Sequence, residues 1–175
     1  MDYERNEKGL WLPAKAAGVY RAQHFRKGRL IDEWEFENSV VNQGLIAMMN
    51  IMFAGVSVVS NWYIGVFQNN YTPVATDTAA SIVGNAGEFT GYSGGARPSF
   101  TPAQATSSPT ITNTASQATF NFTGSATLTG AFLISSATPG SNSGTLYSAA
   151  QFGSSKSVAN LDTIALTYQT SLTSS

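Results

Sequence analysis

The chain has 175 residues, 42% hydrophobic and 11% aromatic, which suits one domain with a substantial core and excludes global disorder. A net charge of -1 gives no electrostatic reason to expect nucleic acid, whose phosphates call for clustered Lys and Arg. The absence of cysteine excludes disulfides, thiolate nucleophiles and zinc–thiolate sites.

The charges are unevenly spread. Fourteen of the 19 lie in the first 37 positions, and beyond residue 38 only Asp77, Glu88, Arg97, Lys156 and Asp162 remain. Proton transfer needs ionisable groups brought together, so the composition points to packing and surface chemistry, and no enzyme is expected. Ser and Thr take the place of charge, making up 30 of the 75 residues from Thr101 onward.

Residues 1–13 carry Asp2, Glu4, Arg5, Glu7 and Lys8, end on Pro13, and read as an extended arm in front of a single domain over 14–175. They hold no apolar run of the kind a secretory signal requires. Glu4, Arg5 and Trp11 are the arm's candidates for reaching a neighbouring chain.

A β-hairpin is predicted over 19–37, with strands 19–26 and 30–37 joined by Lys27-Gly28-Arg29. A three-residue loop sets Arg21 opposite Glu35, His24 opposite Asp32, Tyr20 opposite Phe36 and Ala22 opposite Trp34. Glu33, Glu35 and Glu37 share one face. Clustered carboxylates can bind Ca²⁺ or act as an acid/base pair, but with Arg21 across the hairpin a salt-bridged edge is the expected reading. Arg21, Glu33 and Glu35 are therefore interface candidates. His24 is the only histidine, which excludes a multi-histidine metal site, and a cross-strand pair with Asp32 is expected for it.

A helix is predicted over 43–54, capped by Asn42 and closed by Gly55. Leu45, Met48, Met49 and Met52 fall at i, i+3, i+4 and i+7, and Ile46, Ile51 and Phe53 widen the stripe until little polar face is left. The helix is thus expected to be largely buried around Met49, its methionines filling core rather than binding a soft metal. Residues 45–67 carry no charge, but Asn50, Ser57, Ser60 and Asn61 and the lack of basic anchors argue against a membrane span.

Residues 62–67 are apolar on both faces and predict a central strand. The following stretch to residue 109, rich in Gly, Asn, Thr and Pro, admits one short helix after Thr76-Asp77-Thr78, with Asp77 heading that helix or an Asx-turn, its carboxylate accepting backbone N–H bonds. Glu88 and Arg97 are expected either to pair with each other or to reach across a subunit interface. Tyr71, Tyr92 and Phe100 either stack sugar rings or pack the loops onto the core. Strands follow over 118–134, as one strand bent at Gly124 or two broken there, then over 145–150 and 163–172. Together these make a mainly β protein: an antiparallel, jelly-roll-like β-sandwich with one packed helix.

The run Asn38-Ser39-Val40-Val41-Asn42-Gln43-Gly44-Leu45, following a hairpin rich in Trp and acidic residues, resembles a stretch in small structural proteins of tailed bacteriophages. The likeness continues in Trp62-Tyr63-Ile64-Gly65-Val66-Phe67 and in 71–81, then at Glu88, Tyr92 and Arg97-Pro98, and resumes over 153–158 and 162–172. Such proteins are most similar to capsid decoration or cement proteins. The resemblance implies a homo-oligomer (dimer or trimer) made in the bacterial host cytoplasm, bound to the major capsid protein on the outer capsid surface of the virion. It implies no cofactor and no catalytic residue; the charge balance and the polar residues within 45–67 are why no nucleic acid and no membrane are expected as partners. The alternative within the class is a head-fibre or tail-associated module that recognises host glycan through Tyr71 and Tyr92.

Overall fold

A computed structural model describes residues 15–173; the expected arm over 1–13, with Glu4, Arg5 and Trp11, lies outside them. Twelve elements follow one another: β1 (Lys15–Arg26), β2 (Arg29–Glu37), β3 (Ser39–Val40), α1 (Asn42–Phe53), β4 (Trp62–Phe67), α2 (Ala79–Asn85), β5 (Ser99–Phe100), β6 (Thr110–Thr112), β7 (Ala118–Asn121), β8 (Ala126–Ile134), β9 (Leu146–Val158) and β10 (Thr163–Thr173). They form two antiparallel five-stranded sheets. One runs β2-β1-β10, with β6 and β7 sharing the far edge of β10; the other runs β3-β9-β8-β4-β5.

Alternation along the strands places one face of each sheet inward. Tyr20, Phe36, Phe120, Leu166 and Tyr168 of the first sheet meet Ile64, Val66, Leu128, Leu133 and Phe152 of the second in one continuous core. Stacking of Tyr20 on Tyr168, with ring centroids 4.3 Å apart, ties β1 to β10 within it. The second sheet is buried on its other face as well. There Phe67, Phe132, Ile134 and Leu146 pack against Ala79, Ile82 and Ala86 at α2. This explains why the β4 sequence is apolar throughout.

Close packing on that outer face depends on glycine. Gly65 pairs with Phe132 across the ladder, and Phe67 with Gly130. Each ring lies over the opposing glycine: a Cβ on Gly65 would fall 2.2 Å from Phe132 Cζ, and one on Gly130 would fall 2.0 Å from Phe67 Cζ.

The hairpin register is as expected from Val19 to His24, but its turn is not. The loop has two residues, Lys27 and Gly28, both at positive φ (51° and 74°), and the strands slip by one residue between His24 and Phe25. A two-residue primed turn matches the right-handed twist of the strands, and a bulge at Ile31 absorbs the residue left over. The stretch over 118–134 is two strands. Gly124 lies in the break, where the chain leaves the first sheet after β7 and enters the second at β8. The strand expected over 145–150 runs on to Val158.

Helix α1 departs most from expectation. Its N-cap is Val41, which makes no side-chain cap bond, and Asn42 is already its first, exposed residue. Gly55 ends it at φ +67°, as expected. The helix is not buried: Gly44 alone is, while Met49 is 54% and Phe53 72% exposed. The two sheets bury one another and α2 covers the second, so among the described residues no layer remains to cover α1.

Candidate functional site

Three clusters of polar side chains and one apolar surface are candidates. The most enclosed is the Glu88–Arg97 pair, whose side chains are 1% and 0% exposed. Arg97 donates from Nε to Glu88 Oε1 and from Nη2 to Oε2, both at 2.7 Å, in a two-pronged bridge. Two further donors reach the carbonyls of Ser136 (2.7 Å) and Ser141 (3.0 Å), and Glu88 Oε2 accepts the Gly140 N–H at 2.7 Å. The guanidinium also lies 5.5 Å from the Phe132 ring centroid. Of the two roles expected for these residues, the structure takes pairing with each other. They clamp the loop between β8 and β9 and are closed to a neighbouring chain.

The second cluster lies where β9 turns into β10. Asp162, buried, accepts Arg26 Nε at 2.9 Å and Nη2 at 2.7 Å, the Ala159 N–H at 2.8 Å, and stands 2.9 Å from His24 Nε2. Hydrogen bonds from Arg26 above all, then from Ala159 and His24, hold its carboxyl well below the usual carboxylate range. His24 is thus not paired with Asp32, although the two are opposite in register. Its side chain points inward to Asp162, while Asp32 accepts Lys156 Nζ at 2.8 Å from the other sheet.

The third cluster is Asp77. It accepts Tyr71 Oη (2.7 Å), Ser81 Oγ (2.8 Å) and the Val74 N–H (2.8 Å), bracing the loop that seats α2. The cap of α2 is Thr78, in a reciprocal box with Ser81. Tyr71 is therefore held to Asp77. Tyr92 and Phe100 are buried in the core, with Tyr92 edge-on to Phe120. The aromatics expected either to stack sugars or to pack loops pack loops.

On the surface, β2 is an edge strand, and Glu33, Glu35 and Glu37 project from it into solvent. Arg21 reaches Glu35 at 2.5 Å. Among the described residues no group of three or more His, Cys, Asp or Glu is placed to hold a metal ion, and no helix is long and apolar enough to cross a membrane.

The remaining candidate is apolar. Ile46, Met49, Met52 and Phe53 of α1, with Val56 and Val58 after it, are each more than half exposed. Ile46, Met49 and Phe53 make one stripe at i, i+3 and i+7. Beside it, between α1 and the end of the sandwich, runs a groove of about 380 Å³ lined by Ala47, Met48, Trp62, Leu133 and Tyr147. These residues were legible as hydrophobic but not as surface. The available signal was the missing polar face of the helix, which fits a partner's surface as well as it fits a core.

The sequence matches no protein-family model, and no curated protein matches it.

Proposed function

We propose that this chain is a non-enzymatic structural protein of a tailed-phage virion, a cement or decoration protein that self-associates and binds the outer capsid lattice. The observation that carries the assembly part is the uncovered apolar surface of α1 and residues 56 and 58. Exposed apolar patches of several hundred Å² mark sites of association. The virion part rests on the resemblance over 38–45, 62–67 and 71–81. A jelly-roll-like path belongs to the same reading and is supported by β1 lying against β10 and β3 against β9.

The chemistry suits repeated attachment. A neutral, hydroxyl-rich body makes many modest hydrogen bonds without desolvating charges. Many such copies around a symmetric lattice turn weak contacts into firm retention. The charged edge at β2, with Arg21, Glu33 and Glu35, resists stray strand pairing and offers a polar contact to the capsid protein. No glycan-binding role is proposed, because Tyr71, Tyr92 and Phe100 are engaged within the fold.

The test is the number of copies on purified particles, by quantitative mass spectrometry against the major capsid protein. Hundreds per particle are expected. A handful would indicate a fibre or tail component, and absence from the particle would end the virion reading.

A further inference from the structure

We propose that α1 mediates a two-fold contact between two copies of this chain, with Phe53 of each copy entering the groove beneath α1 of the other. This deepens the self-association part of the reading above and is independent of the particle part.

Among the described residues, the helix is anchored at its first turn, and the groove opens beyond it. Gln43 Oε1 accepts the Leu146 N–H at 2.8 Å and the Ala79 N–H at 3.0 Å, fixing the first turn. Gly44 lies so close to β9 that a Cβ there would fall 2.7 Å from the Tyr147 backbone. Among the described residues, no comparable side-chain hydrogen bond holds its C-terminal end. Met48 and Met52 line the open groove, and Phe53 projects beyond it.

Four observations select a second copy as the occupant. The groove's lining is almost entirely apolar, and at about 380 Å³ it lies near the small end of ligand-sized cavities, roughly 300–1,000 Å³, with room for one or two large side chains. Phe53 is such a side chain, 72% exposed on the same element. Phe53 and the groove belong to the same element, and one two-fold axis brings residue i to j and j to i, so the Phe53 of each copy can be offered to the groove of the other. The chain carries no charge between Glu37 and Asp77, so two copies of this face meet without like charges opposed, and a charged partner finds nothing to pair with. Six large apolar residues here are each more than half exposed, a patch on the order of several hundred Å², to be set against the ~800 Å² per partner of a standard interface.

Sedimentation velocity and light scattering of the full chain over a range of concentrations test this. A monomer–dimer equilibrium is expected for the wild type. Phe53→Ser removes the knob from an exposed position and should weaken dimerisation at least ~10-fold with an unchanged thermal melt. Ala47→Trp fills the groove while leaving Phe53 and the apolar surface in place, and should weaken it comparably. A wild type that stays monomeric would overturn the proposal. So would a dimer indifferent to Phe53→Ser, or a folded Ala47→Trp variant that dimerises normally, since Phe53 would then seat elsewhere. A dimer in solution that is absent from particles would sink the virion reading and leave this one standing. A monomer that decorates particles would do the reverse.

Discussion

Arg97 is the largest of the fully buried side chains, and a guanidinium in that position is tolerable only because each of its groups is answered. Glu88 takes two of its donors, two carbonyls of the β8–β9 loop take two more so that every nitrogen is bonded, and Phe132 lies against its face. Removing one member leaves a buried charge without its counter-charge. Glu88→Gln is therefore expected to cost about 3–5 kcal/mol in urea denaturation, and the double variant Glu88→Gln/Arg97→Met to recover much of it. Asp162 gives a different test. Its carboxyl is depressed, so on acidification the unfolded chain takes up the proton first. The stability it contributes is complete above the ordinary carboxylate pKa of about 4 and is lost as pH falls toward the lower folded value. Asp162→Asn should be less stable than wild type at neutral pH, and the difference should narrow steadily below about pH 4. A constant difference down to low pH would show that the carboxylate's charge contributes nothing.

At the scale of elements, α1 changes what a substitution means. A buried stripe centred on Met49 would make Met49→Lys unfold the protein. With Met49 54% exposed, the ammonium stays in water, and the thermal melt is expected to shift by no more than a few degrees. Self-association should weaken instead. The sequence made the helix legible and left its surroundings hidden. Period 3.6 locates a helix, but burial depends on whether another layer arrives, and the sheets and α2 had already covered one another. The hairpin register from Tyr20 to His24 was legible because alternation fixes which residues face inward. Its turn was not, because a bulge at Ile31 lets a two-residue loop keep the same register. The Glu88–Arg97 pair was legible as one of two options, since lone charges in a neutral segment need partners. His24 was misplaced for a related reason. Cross-strand register names the nearest backbone, whereas a buried ring turns inward, and inward lay Asp162, 138 residues further along.

For the whole molecule, the core between the sheets doubles as a layer of phenols. Tyr20 bonds Ser148 at 3.0 Å, Tyr168 accepts Asn38 Nδ2 at 2.8 Å, and Tyr147 meets Thr170 at 3.0 Å. Burial first, and then the neighbouring Tyr168, pushes the Tyr20 hydroxyl well above its ordinary range; burial also raises Tyr168 and Tyr147. These groups contribute stability that is complete below the ordinary phenol pKa near 10 and is lost as pH rises above it. In an alkaline titration, phenolate absorbance from the core should appear together with the loss of circular dichroism. Early, independent ionisation would show the layer open to solvent. The first sheet also sets the order of events during synthesis. Its central strand, β10, is made after all the other described strands, yet β1, β6 and β7 all hydrogen-bond to it. The hairpin of β1 and β2 must therefore wait through more than a hundred residues of translation for its inner partner, its apolar face open to chaperones and to other nascent chains. Folding governed by such distant pairings is slow. A chain stalled on the ribosome before residue 163 should remain protease-sensitive throughout the first sheet, and release of the eleven residues of β10 should convert it to the resistant form in a single step.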